Sequence, residues 1–204
     1  MQIKTLLSLE VADKLVDQAL QLGLIEAMHP LAVAVLDNGG HPVVVKRQDG
    51  AGIMRCDIAI GKAWGALGMG MPSKLIRDRL SDRPSFQSAL AAVSMGRFVP
   101  VPGGVLINDG NNETIGAVGV SGDTSDKDEY CAIQAILAAS YKPDPPLPSE
   151  PWRESKLCSI IQRIWPFVVF LNIKKVKVAR CSKFNRDCYR LFCGITLRSA
   201  INEV

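Results

Sequence analysis

The stretch Val99–Ala132, reading VPVPGGVLINDGNNETIGAVGVSGDTSDKDEYCA, constrains this chain most. It holds two apolar runs, Gly104–Ile107 and Thr114–Val120, separated by Asn108-Asp109-Gly110-Asn111-Asn112. Those five residues tolerate positive φ and hydrogen-bond their own backbone, so the pair of runs predicts a β-hairpin. The second run ends in Ser121-Gly122-Asp123-Thr124-Ser125 and opens a helix expected over Asp126–Ser140. Ser125 is the expected N-cap, with Asp126, Asp128 and Glu129 placing negative charge in the first turn. A strand, a glycine and a capped helix start aim backbone N–H groups at one spot, which can receive a carboxylate or phosphate. The same junction also serves as a plain structural device, since any sharp strand-to-helix turn favours Gly and Ser/Thr.

Upstream, Ser8 caps a helix whose apolar positions Val11, Leu15, Ala19 and Leu22 recur at helical spacing, with a pattern running on to His29-Pro30. Leu31–Leu36 is apolar on both alternating faces, as a central strand requires. Asp37-Asn38-Gly39-Gly40 then turns the chain into Pro42–Gln48, a second hairpin with His41 at the turn's exit. His41 reads either as an exposed loop imidazole or as a ligand; His29, before a proline, reads as a helix-end residue. Asp57–Met71 is a helix unusually rich in Ala and Gly. Glycine costs up to ~1 kcal/mol in a helix interior, so this composition predicts close approach to another backbone, either the sheet or another subunit. Lys62 on that helix reads as a solvated cation. Ser73 caps a short helix, Lys74–Leu80, and Pro84–Val93 forms another.

Composition divides the chain. Residues 1–150 hold 13 Lys+Arg against 17 Asp+Glu, whereas residues 151–204 hold 11 against 3. Four of the six cysteines lie in that second part, at spacings matching no familiar zinc pattern. Cys56 and Cys131 read as small buried hydrophobes. The proline-rich segment 143–150 is a stiff linker between a domain over residues 1–142 and the basic, aromatic, cysteine-bearing tail 151–204. Cations interleaved with aromatics suit a nucleic acid or membrane surface. The tail's helix and strand periods stop after Ile173, however, which favours an unselected extension, and a nucleic-acid partner is not expected. The longest apolar run, Ile164–Leu171, is far short of the ~20 residues of a membrane span. The N-terminus lacks a signal-peptide cleavage pattern, so a cytoplasmic location is the expectation. No Walker lysine, HExxH, nucleophile elbow or GxGxxG order occurs.

Val101-Pro102-Gly103-Gly104-Val105, Ile115–Gly122 and Asp128-Glu129 resemble the GlcG/HbpS family, also called the haem-degrading family. Ala34–His41 and Asp57–Ala63 resemble that family's other segments in the same order, so the resemblance covers residues 5–142. It implies an α+β fold, a profilin-like α/β/α sandwich whose antiparallel sheet carries helices on its faces, and identical subunits that assemble into homo-oligomers. It also implies binding of haem or a related tetrapyrrole between the helices and the Gly103-Gly104 and Ser121-Gly122 loops. Propionates would then meet Lys62, Arg47 and loop N–H groups, and iron would take His41 or Thr124 as axial ligand. Two alternatives stand beside this: an enzyme or accessory factor in small hydroxy-acid, diol or corrinoid metabolism, with Asp128 and Glu129 on a small polar substrate, and a structural homo-oligomer without catalysis.

Overall fold

The computed structural model describes residues 5–157. Helix α1 (Leu9–Ile25) begins where Ser8 accepts the Val11 N–H through its hydroxyl at 3.3 Å. Its buried stripe is Ala12, Leu15, Val16, Ala19 and Gly23. The helix stops at Ile25, earlier than its apolar pattern does, and Ala27 takes a positive φ of 50°. The chain has to turn back there because Leu31 packs against Gly23; a β-carbon on Gly23 would lie 2.5 Å from Leu31 Cδ1.

Five antiparallel strands form one sheet in the order β2-β1-β4-β3-β5. Strand β1 (Ala32–Asp37) lies inside the sheet between β2 and β4 and is buried through Leu36, as its unbroken apolar run requires. Strand β2 (Pro42–Arg47) is the half-exposed edge, where the missing N–H of Pro42 is tolerated. Strands β3 (Gly104–Asn108) and β4 (Thr114–Ser121) form the expected second hairpin. Both hairpins close by the same chemistry. Asp37 Oδ1 accepts the N–H groups of Gly39 and His41, each at 2.9 Å, and Asp109 Oδ1 accepts those of Asn111 and Glu113 at 2.8 and 2.9 Å. Such side-chain closure is why aspartate opens these turns.

Helices cover both faces. On one, Val33, Val35, Val105, Val118 and Val120 meet α1 and α5 (Ser125–Ala138), through Leu15, Val16, Ile133 and Ile136. On the other, Leu36, Leu106 and Ala117 meet Ala63 and Ala66 of α2 (Arg55–Met69). The fold is thus α+β, an α/β/α sandwich on an antiparallel sheet. Two strand glycines let α2 lie almost on the sheet backbone: a β-carbon on Gly119 would overlap the Ala59 carbonyl, and one on Gly104 the Lys62 carbonyl. The helix's own glycines face the Arg97–Val99 segment. Gly61 sits under Val99, and a β-carbon on Gly65 would lie 3.1 Å from the Phe98 ring. The partner that the small residues of α2 approach is therefore this chain's own sheet and loop.

Helix α3 (Ser73–Leu80) and α4 (Pro84–Val93) follow α2. Ser73 does not cap α3; Pro72 holds that position, and the Ser73 hydroxyl instead accepts the Gly104 N–H at 2.8 Å. Helix α5 likewise begins one residue early, with Thr124 rather than Ser125 as N-cap. The proline-rich segment does more than link: Lys142–Asp144 form β5 on the edge of β3. Beyond it, residues 145–157 lie along α5, where Trp152 stacks on Tyr130 with ring centroids 3.6 Å apart. Most of the tail read from 151 onward, including Cys158, Cys181, Cys188, Cys193 and the run Ile164–Leu171, falls outside the described residues. Among the described residues, no helix is long and apolar enough to cross a membrane.

Candidate functional site

The end of the sheet where β4 leaves and β3 enters collects most of the chemistry. Lys62, on the sheet side of α2, reaches past the strand ends to α5. Its Nζ donates to Asp128 Oδ2 at 2.8 Å and to the Val120 carbonyl at 2.9 Å. Both side chains are sealed, with 2% and 1% exposure. Gly103 makes room for them: its φ is +114°, and a β-carbon there would lie 2.9 Å from Lys62 Nζ. Burial drives the Lys62 ammonium down and the Asp128 carboxyl up from their ordinary pKa values, and the attraction between them opposes both shifts. Asp128 Oδ1 completes the cluster by accepting the Asp123 N–H at 3.1 Å.

The turn from β4 into α5 is organised around Asp123. Its carboxylate accepts the His29 N–H at 2.9 Å and the Thr124 N–H at 2.7 Å, with Lys127 Nζ at 3.3 Å. Burial raises its pKa, but the two N–H groups and Lys127 outweigh that and hold it below the usual carboxylate range. Arg55, in the first turn of α2, donates to Ser121 Oγ at 3.3 Å. Thr124, only 8% exposed, makes no capping bond, and its hydroxyl oxygen is buried without a partner. Around this end Leu24, Ile25, Ile53 and Met54 are exposed. Gly122 faces none of this. A β-carbon there would meet the Pro30 carbonyl and Leu31 at 2.5 Å, so its role is to let α5 dock against the start of β1.

Next on α5, Glu129 is fully buried. Its Oε2 accepts the Ser149 hydroxyl at 3.2 Å with Lys74 Nζ at 3.8 Å, while Oε1 has no partner. Burial raises the Glu129 pKa, against the pull of Lys74 and Ser149. Further along the helix, burial pushes the Cys131 thiol up to about 12, so it is the inert apolar filler its neighbours suggest.

Of the residues singled out in the sequence, Lys62, Gly103, Gly104, Ser121, Gly122, Thr124, Asp128 and Glu129 gather at or beside this end. His41 does not. Ala32 pairs with Ser121 and Asp37 with Gly116, so the Asp37–His41 turn lies five residues along the strand, about 17 Å away. His41 is instead an exposed imidazole 3.6 Å from Asp37. Beside that turn a cavity of about 160 Å³ is lined by Asn38, Gly39, Gly40, Trp64, Leu67 and Gly68. Arg47, opposite Ala32, lies at the same end of the sheet as Ser121 but two strands away on the exposed edge. Lys62 is likewise no surface cation for a propionate, because it is spent on Asp128. Arg55, through its guanidinium, and His29, through its backbone N–H, are the residues that the fold adds beside Ser121 and Asp123. Neither carries a local signal, since each reaches the site through a contact with residues more than sixty positions away.

Comparison with known proteins identifies the family and the fold. Residues 7–137 match the family model described as haem degrading protein HbpS-like. A Citrobacter freundii protein described as an uncharacterized 15.0 kDa protein in the dhaT-dhaS intergenic region is 33% identical over 125 residues, covering 61% of this chain and 87% of its own. The crystal structure of the Klebsiella pneumoniae protein ORFY superposes with TM-score 0.58 at 28% identity, covering 68% of this chain and 93% of that one. A PduOC:heme complex gives 0.58 at 25% identity over 65% and 94%, and HbpS gives 0.57 at 27% over 68% and 92%.

Proposed function

The chain belongs to the haem-degrading HbpS-like family, and from that membership we propose that it binds haem or a related tetrapyrrole at the β4–α5 end of its sheet. The observation that carries the reading is the Thr124 hydroxyl, a buried oxygen with no partner beside Ser121 and Asp123, whose side chains have theirs. A buried polar atom left unpaired costs ~1–3 kcal/mol, and a ligand there would recover that cost. The surroundings fit an anionic macrocycle: Arg55 and Lys127 are cationic, His29 supplies an imidazole-bearing residue, and Leu24, Ile25, Ile53 and Met54 offer exposed apolar surface. The solved PduOC:heme complex, similar over most of the domain, supports the ligand class.

When bound, haem supplies an iron centre to which a protein oxygen or imidazole can attach. The chain's own contribution is positional. Thr124 offers oxygen, Arg55 offers bidentate donors to a propionate, and the Lys62–Asp128 pair fixes the helix start that carries Thr124. Haemin titration of the full chain, followed at the Soret band, tests this reading. A saturable shift is expected in the wild type, with affinity reduced about tenfold, equivalent to ~1.4 kcal/mol, in Arg55→Gln. Haemin binding no stronger than to lysozyme as a non-specific control would remove the proposal.

A further inference from the structure

At the hairpin end of the sheet, the cavity beside the Asp37–His41 turn lies between α2 and the turn itself. Trp64, Leu67 and Gly68 line it from the helix, and Asn38, Gly39 and Gly40 from the turn. The Trp64 indole is held from two directions. Gly40, at a φ of +79°, lets the turn close on its edge, since a β-carbon there would lie 3.1 Å from Cδ1 and 3.2 Å from Nε1. The Arg97 guanidinium lies over the ring, 4.5 Å from the centroid. Among the described residues, neither the indole N–H nor the Asn38 side-chain amide has a hydrogen-bond partner. Gly68 differs from the other glycines of the helix. Gly61 and Gly65 lie against Val99 and Phe98, which a β-carbon would crowd. At Gly68 the nearest contact for a β-carbon is Trp64 Cζ3 at 4.0 Å, ordinary packing distance. Helical glycine costs up to ~1 kcal/mol, and here no close approach requires it. The space its missing side chain leaves is the cavity.

We propose that this cavity binds an uncharged compound with one electron-poor aromatic ring and a carboxamide, stacked on Trp64. Volume sets the size: a cavity of ~150 Å³ accepts a single benzene ring, and this one measures about 160 Å³. The face of an indole is negative, so it stacks best with a ring whose own face is depleted of electrons. The indole N–H only donates, whereas the asparagine amide donates and accepts, and a carboxamide answers both. No charged side chain lines the cavity. Of the charged groups nearby, Asp37 is engaged by the Gly39 and His41 N–H groups, and Arg97 by the indole and the Ser94 carbonyl. The site lies at the opposite end of the sheet from the proposed haem site and does not rest on that reading.

Nicotinamide is the probe, titrated into the isotopically labelled full chain. Cyclohexanecarboxamide is the control, because it keeps the amide and lacks the aromatic face. Of the three tryptophans, Trp64 has its indole N–H beside Gly40, so a nuclear Overhauser contact between them assigns its resonance. That resonance is expected to shift saturably with nicotinamide, and cyclohexanecarboxamide should bind at least fivefold more weakly. Gly68→Leu grows a side chain into the cavity from a helical position that favours one, so it should weaken nicotinamide at least tenfold without lowering the melting temperature. No saturable shift at Trp64, equal binding of the two amides, or a folded G68L that binds as tightly as wild type overturns the proposal. Should G68L fail to fold, Asn38→Ala at the exposed turn removes the amide partner instead; nicotinamide binding unchanged there overturns it equally.

Discussion

Lys62 Nζ and Asp128 Oδ2 lie 2.8 Å apart although 66 residues separate them, and their bond ties the helix under the sheet to the helix above it. Removing one partner leaves a buried charge alone, whereas removing both removes the problem. Lys62→Met should therefore destabilise the chain by ~3–5 kcal/mol, and adding Asp128→Leu should restore a substantial part of the loss. Urea unfolding of the two single variants and the double variant measures both terms. Additive losses would mean that the pair is not coupled.

Asp123 contributes stability that is lost in acid. Its folded pKa lies below the usual carboxylate range, so the native state holds fewer protons than the unfolded chain between the two values. Its stabilisation is fully present above the unfolded Asp value of ~3.9 and is lost as pH falls through the lower folded value. Thermal melts of wild type and Asp123→Asn between neutral pH and about pH 3 should converge at the acid end. A gap between them that stayed constant across that range would contradict the assignment.

Thr124→Val keeps the volume and deletes only the hydroxyl. Because that oxygen caps nothing, stability should be unchanged or higher by up to ~1 kcal/mol, in contrast to the ~1 kcal/mol loss that follows removal of a working cap. Haemin affinity, on the proposed reading, should fall or the Soret position should move. Differential scanning calorimetry and the haemin titration together separate the two roles.

Gly65→Leu drives a side chain into the Phe98 ring and the Val99 backbone within the same chain. Overpacking of this kind costs ~1–3 kcal/mol. The loss should appear in the melting temperature while light scattering reports the same particle mass as wild type. A change of mass at constant melting temperature would place the helix's contact between subunits instead.

What could be read from the chain was whatever local chemistry decides. Ser8 caps α1 as its spacing requires, Asp37 and Asp109 close their hairpins, and Pro84–Val93 is helical over the bounds that its flanking residues mark. Resemblance over four ordered segments carried the fold and the family. Contacts set by tertiary approach were not legible. Lys62 looks like a solvated face because nothing near it in sequence announces Asp128. His41 reads as a turn histidine, and the strand register places it at the opposite end of the sheet from Ser121, while His29 arrives beside Asp123 through a backbone bond. Residues 143–150 look like a linker because proline lacks a donor and stiffens the chain. Three residues of hydrogen-bonded edge strand and one serine between two charges leave no compositional trace.

The two aspartate-closed hairpins share one end of the sheet, since Asp37 pairs with Gly116 and the Asn108–Thr114 turn follows the same edge; the strand-to-helix junctions occupy the other. One end of the sheet is therefore closed by its own turns, and the other carries the buried polar groups around Asp123 and Asp128. Turns locked by their own side chains accept cargo without disturbing the register behind them. Asn111, exposed at the tip of the second hairpin, is thus the place to anchor this protein to a surface or splice it to a reporter. Attachment there leaves Arg55 and Thr124 at the opposite end of the sheet from the support.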